Sequence, residues 1–464
     1  MFTRAYSAMF NFRLECKVGE KMKIQLSDHF GFGRLLRFTI PSIVMLIFTS
    51  IYSVVDGWFI SNVVGTTPFA AINLIMPATM ILGGVGFMFG AGGCALVSKT
   101  LGEGDRDMAN RIFSMLTYIA IGIGVLLSAV GIIFMEDIAV LLGADEEMLP
   151  YCVVYARTLL IALPAFMLQN MFQSFLVAAE KPTLGLAVTV AAGVTNMALD
   201  ALFIAVFRWG VIGAAAATAT AQCVGGIIPL VYFLSKKATV LRLTKTRFYS
   251  KAFFTTCFNG SSELVTNISL SVVSMIFNLQ LMRYAGQSGV AAYGAVMYVS
   301  FAFIAIFIGY SVGVAPVVGY HYGAQNRDEL KNLYSKSLIL ILISSVILAS
   351  AAFVFARPIS AFFLGSADAE LIDMTVRAFR FYSISVLFCG FGIFGSAFFT
   401  ALNNGFISAM LSFMRLFLFQ VIAVIVLPVI FGLDGIWYAL FVPESVALML
   451  TFGCLLAKKR EYGY

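Results

Sequence analysis

Gly102-Glu103-Gly104-Asp105-Arg106-Asp107 returns 221 residues later as Gly323-Ala324-Gln325-Asn326-Arg327-Asp328. The same shift lays Gly65 on Gly286, Ala70-Ala71 on Ala291-Ala292, Met76 on Met297 and Gly92 on Gly313. Gly213 falls within one residue of Gly435. The chain therefore reads as a tandem of two related units, and the nature of one unit decides the fold of both.

Composition says what the units are made of. Of 464 residues, 61% are hydrophobic and 11% charged, with a mean hydropathy of +0.95. No water-facing shell could hide that much apolar surface, so the chain is read as an all-α polytopic membrane protein. A spanning helix needs about 20 apolar residues. Twelve runs qualify: 38–60, 68–98, 112–134, 151–179, 183–206, 211–235, 252–282, 290–322, 337–356, 374–401, 405–431 and 435–457. The division at Glu180–Pro182 is the least marked.

Six spans per unit bring both units in from the same side, which makes them parallel lobes flanking a central cleft. The expected organisation is a tail over 1–33, a first lobe over 34–236, a linker over 237–251, a second lobe over 252–457 and a tail over 458–464. Of the 30 Lys and Arg, 23 fall in the tails and the loops on the tail side, three in the opposite loops, and four inside spans. The positive-inside rule then places both termini in the cytoplasm of a cell membrane. The formal charge of +7 is a topology signal, not a nucleic-acid footprint. The first 23 residues lack the apolar core and cleavage site of a signal peptide, and Met22 is an alternative start.

Several chemistries drop out. Seven scattered Cys and two His, with no C-x-x-C pair, make neither a zinc framework nor a disulfide scaffold. Gly309-Tyr-Ser311-Val-Gly313 matches a nucleophile elbow but lies in a span, where no strand-to-helix turn exists. The Gly86/Gly90 pair suits close helix contact rather than phosphate binding. No HExxH motif or nucleophile set is present, so the chain is not read as an enzyme, and the few cavity acids do not make the ring of a channel.

Four acids sit well inside spans: Asp56, Asp200, Glu263 and Glu444. A charge at the bilayer centre costs at least about 2.5–3.5 kcal/mol, so such groups face a cavity or a partner. Counting residues from the span ends sets Asp56, Asn196, Asp200 and Thr218 at one depth, roughly 6–15 Å below the outer edge. Asn196 and Asp200 share a helix face by their i, i+4 spacing. Two carboxylates, an amide and hydroxyls form a pocket for a proton or a small hard cation such as Na⁺, with Asp56 and Asp200 as the metal ligands in the sodium case. Like charges side by side resist double ionisation, which suits proton carriage. In span 7, Asn259, Glu263, Asn267, Ser271, Ser274 and Asn278 make a polar stripe that faces either a cavity or a hydrogen-bonded helix seam. Glu444 follows Pro443 and is placed to cap a helix break, and Pro41, in the same span as Asp56, is a candidate hinge.

These residues resemble the multidrug and toxic compound extrusion (MATE) family over about residues 30–457. The likeness rests on Ile40-Pro41 with Val55-Asp56-Gly57, Asn196-x-x-x-Asp200 with Phe203-Ile204, and Gly213-Ala-Ala-Ala-Ala-Thr218. It also rests on Gly309-Tyr-Ser-Val-Gly313, Pro316-x-x-Gly319-Tyr-x-Tyr-Gly323-Ala-Gln-Asn326 and Gly432-Leu-Asp-Gly435-Ile-Trp437. The resemblance implies a twelve-helix exporter whose first lobe binds the coupling cation at Asp56, Asn196, Asp200 and Thr218. Glu263 looks like the family's acid in span 7. Some relatives add an acid in span 10, but here only Asp373 stands at its mouth, so their second-lobe cation site is not carried over.

The expectation is an antiporter that exports bulky amphipathic or cationic compounds by alternating access in exchange for H⁺ or Na⁺. It needs no other cofactor and works as a monomer in the bilayer. Gln169 and Gln173 in span 4, with Tyr293, Met297 and Tyr298 in span 8, are the candidate cleft walls. The rival reading, a flippase of lipid-linked saccharides, calls for a broad basic cleft.

Overall fold

A computed structural model describes residues 24–364 and 369–464. The alternative start at Met22 lies outside the described residues. The helices are α1 Phe32–Phe59, α2 Thr66–Gly102, α3 Arg106–Leu141, α4 (Leu149–Ile161 and Leu163–Ala178), α5 Pro182–Asp200 and α6 Gly210–Leu234. A single 74-residue run, Ser250–Gly323, holds the next two spans, α7 (250–285) and α8 (287–323), divided at Gly286 with φ 60° and ψ −150°. Then follow α9 Arg327–Val354, α10 Ala369–Ala401, α11 Gly405–Phe431 and α12 Leu433–Tyr462. With that run counted once, ten helices are long and apolar enough to cross a membrane. The two halves of α4, bent by 60° at Ala162, form one more span, and division of the long run at Gly286 makes twelve. Helices close their own backbone hydrogen bonds, the condition for crossing lipid.

At the end of the bundle that carries Ile24 and Tyr464, polar capping turns join α2 to α3 and α8 to α9. The repeated hexapeptide is one such turn. Gly104 (φ 86°) and Gln325 (φ 54°) each take the left-handed conformation. The next residue then caps a helix: Asp105 accepts Met108 N–H at 2.9 Å, and Asn326 accepts Glu329 N–H at 3.1 Å.

The repeat also builds the seam between lobes. A methyl on Gly102 would strike the carbonyl of Tyr320, and one on Gly323 would strike the carbonyl of Lys99. The pairs 102/323 and 99/320 are both separated by 221, so the two contacts are images of each other. Gly92 of α2 against Gly260 of α7 is matched in the same way by Gly313 of α8 against Thr39 of α1. The glycines of the elbow-like segment thus serve helix packing. Gly86 and Gly90 likewise let α2 approach the backbone of α4. All these inter-lobe approaches lie in the half of the bundle nearer the termini.

Two straps cover that end. Residues 24–31 run over α9: Phe30 N–H donates to Glu329 (2.9 Å), His29 Nδ1 lies 2.6 Å from the same carboxylate, and Asn332 and Lys336 donate to Phe30 O. Leu26 N–H reaches across to Glu180 (2.9 Å) in the turn between α4 and α5, where burial pushes the Glu180 carboxyl above its usual range. The linker runs over α3 in the corresponding way. Arg242 N–H donates to Asn110 and Thr244 N–H to Ser114, both at 2.8 Å.

Candidate functional site

Within the first lobe, α1, α2, α4, α5 and α6 enclose a cavity of about 120 Å³. Its wall includes Tyr52, Asp56, Thr79, Tyr155, Gln169, Asn196, Thr218 and Gln222. Asp200 is fully buried beside it and Asn196 is 1% exposed. Asn196 Nδ2 donates to Thr218 Oγ1 at 3.3 Å, which ties α5 to α6. The carboxyl groups of Asp56 and Asp200 meet within hydrogen-bonding range. Ionised carboxylates only accept, so this approach is comfortable only with a proton or a cation between them. Three of their four oxygens, Asp56 Oδ1 and both of Asp200, are buried with no fixed hydrogen-bond partner. A buried acceptor left open in this way is costly unless something fills it.

The structure therefore brings together Asp56, Asn196, Asp200 and Thr218, which lie on three helices far apart in the chain. Sequence reasoning missed Tyr155, Tyr52 and Gln222. Gln222 is one turn beyond Thr218 and could have been found by i, i+4 spacing. Tyr155 lies in an apolar run and carries no such signal, yet it is buried within range of both carboxylates and its hydroxyl has no fixed partner. Gln169 joins this cavity, and its side chain packs against Gly225 of α6. Gln173 is half-buried on the same helix.

The remaining candidates are dispersed. Tyr293 stacks on Phe277 at 5.1 Å inside the second-lobe core, and Met297 packs against that core. Tyr298 is 44% exposed and stacks on Phe363 of the short helix Ala356–Leu364. In the α7 stripe, Asn259 is buried and donates to Asn403 Oδ1 (2.8 Å), making a seam with the α10–α11 turn. Asn267 Nδ2 donates to its own helix at Glu263 O (2.8 Å), while Glu263 is half-buried and Asn278 exposed. Pro41 is buried in an α1 that passes it without a break. Glu444 lies in the first turn of Val442–Tyr462 and meets Arg415 of α11, Nη1 to Oε1, at 3.5 Å.

Comparison with known proteins places the fold. The MatE family model matches residues 41–202 and 264–426, once in each half of the chain. The multidrug export protein MepA of Staphylococcus saprophyticus is 24% identical over 429 residues, covering 90% of this chain and 92% of that protein. A MATE crystal structure in complex with MaL6 superposes with a TM-score of 0.89 at 20% identity, covering 94% of this chain and 98% of that one. The outward-facing conformation of a multidrug resistance MATE family transporter gives 0.87 at 20% identity, covering 92% and 96%. At such identity the structural likeness is one of fold: twelve membrane helices in two lobes.

Proposed function

Because this chain belongs to the MatE family of membrane transporters, we propose that it is an antiporter that takes up H⁺ or Na⁺ at Asp56 and Asp200 and expels bulky amphipathic or cationic compounds. The reading rests on one observation above all: two carboxyl groups from different helices meet in a buried cavity with three oxygens unpartnered. The export of drug-like cargo is supported by the naming of the MepA relative as a multidrug export protein.

The lobes meet in the half of the bundle that carries the termini, the side that the charge distribution assigns to the cytoplasm. We infer that the lobes part on the opposite, outer side. Neutralising the Asp56–Asp200 pair removes their repulsion and repacks α1 against α5, and α1 also contacts α8 at Thr39 and Ser42. Cation occupancy and lobe closure share that helix. Each inward-moving cation gains about 2.3 kcal/mol per 100 mV of membrane potential, which drives cargo out. A flippase of anionic saccharide lipids would want free arginines in the cleft, whereas Arg415 is paired to Glu444 and Arg157 donates to Ile132 O at 3.0 Å.

The test is ethidium transport in vesicles under separately imposed proton and sodium gradients. One gradient should drive transport in the native chain, and Asp200→Asn should reduce it at least tenfold. Undiminished gradient-driven transport in that variant would remove the coupling role.

A further inference from the structure

We propose that Arg415 is a built-in cation of the second lobe, serving its acids as an exchangeable H⁺ or Na⁺ serves those of the first, so that the protein has one exchangeable cation site and not two. The inference rests on the coupling reading above and extends it to the other lobe.

The repeat sets α5 and α6 on α11 and α12, and α1 on α7. In the first lobe these three helices carry Asp56, Asn196 with Asp200, and Thr218. In the second they carry Glu263 on α7, Arg415 on α11 and Glu444 on α12. Each lobe thus carries two intramembrane acids on this set of helices, although the 221-residue register lays Glu263 on Ser42 and not on Asp56, and the second lobe adds Arg415 beside them. Side chains of Arg415 and Glu444 are 10% and 7% exposed and 3.5 Å apart. Glu263 lies within range of the same guanidinium's charge.

The arginine has a prepared seat. It stands in a π-helical turn, Met414–Leu418, and its stem fills the space that a side chain at Gly392 of α10 would claim, 2.7 Å from where a Cβ would stand. A guanidinium does not give up its proton in a protein, so its charge is permanent. A mobile cation approaching Glu263 or Glu444 would meet a like charge already held in place. The described lining of the first-lobe cavity contains no base, and three carboxylate oxygens of Asp56 and Asp200 are unpartnered there, against one of Glu444.

The experiment counts exchangeable cations on purified full-length protein: bound radioactive sodium at pH 8, and protons taken up between pH 8 and pH 5.5, each as a difference from the native chain. Arg415→Gln should gain one cation, and Arg415→Lys should show no change. Glu263→Gln, which leaves the Arg415–Glu444 pair intact, should also show no change. Asp200→Asn should lose one. No gain in a monodisperse Arg415→Gln protein, or a loss of one in Glu263→Gln, would overturn the proposal. Should Arg415→Gln fail to fold, Glu263→Gln decides alone. An unchanged count in Asp200→Asn would instead sink the first-lobe coupling on which the proposal rests.

Discussion

The interiors of the two lobes begin from one architectural plan and end with opposite electrostatics. In the first, Asp56 and Asp200 meet beside a cavity, buried oxygens open and no base in contact. In the second, Arg415 faces Glu444, with Glu263 in range of its charge. Symmetry of backbone therefore does not carry symmetry of chemistry. The described lining of the first-lobe cavity holds acid and no base, whereas the second lobe sets Arg415 beside Glu444, whose Oε2 stays unpartnered.

That contrast can be broken in graded steps. Asp56→Asn should bring gradient-driven ethidium transport down to the level of empty vesicles, since half of the open acid pair is lost. Glu444→Gln should leave Arg415 buried without its partner, at a cost of about 3–5 kcal/mol read as a lowered thermal midpoint in detergent. Replacing Arg415 and Glu444 together by Met and Leu should come out near neutral in the same measurement, because the desolvation of both charges is also removed. The seam should respond symmetrically where the lobes do not. Gly102→Val and Gly323→Val should each destabilise by about 1–3 kcal/mol and by similar amounts, through the same collision seen from either side. Thr218→Ala should cost about 1 kcal/mol, the worth of one hydrogen bond to Asn196. Asp434→Asn, in an ion pair with Arg377 whose side chains are 31% and 58% exposed, should move stability by less than about 1 kcal/mol.

Much of this was legible in the chain. Twelve spans followed from hydropathy because lipid leaves a helix no other way to satisfy its backbone. The repeat followed from a hexapeptide whose spacing reflects a capping turn used twice. Asp56, Asn196, Asp200 and Thr218 could be grouped because depth in a membrane is a one-dimensional count. The same method failed for the walls. Tyr293 has the polarity and depth of a cleft residue but turns into the core to stack on Phe277, and Gln169 turns toward α6 and the acid pair. Rotation about a helix axis is set by neighbours, and a helix that is apolar nearly all round gives periodicity little to read. Arg415 was visible as an intramembrane charge, but its partner Glu444 lies 29 residues away on another helix, and pairing across that interval has no local signature.

Sequence by itself determined the number of helices, the repeat and the grouping of Asp56, Asn196, Asp200 and Thr218, since each depends on rise per residue and on the exclusion of unpaired polar groups from lipid. Only the tertiary structure decided that Asp56 lies beside Asp200, that Arg415 pairs with Glu444, and that Gly102 meets Tyr320 as Gly323 meets Lys99. Those are relations between helices, fixed by which small residues let backbones approach and which side chains are left facing one another when they do.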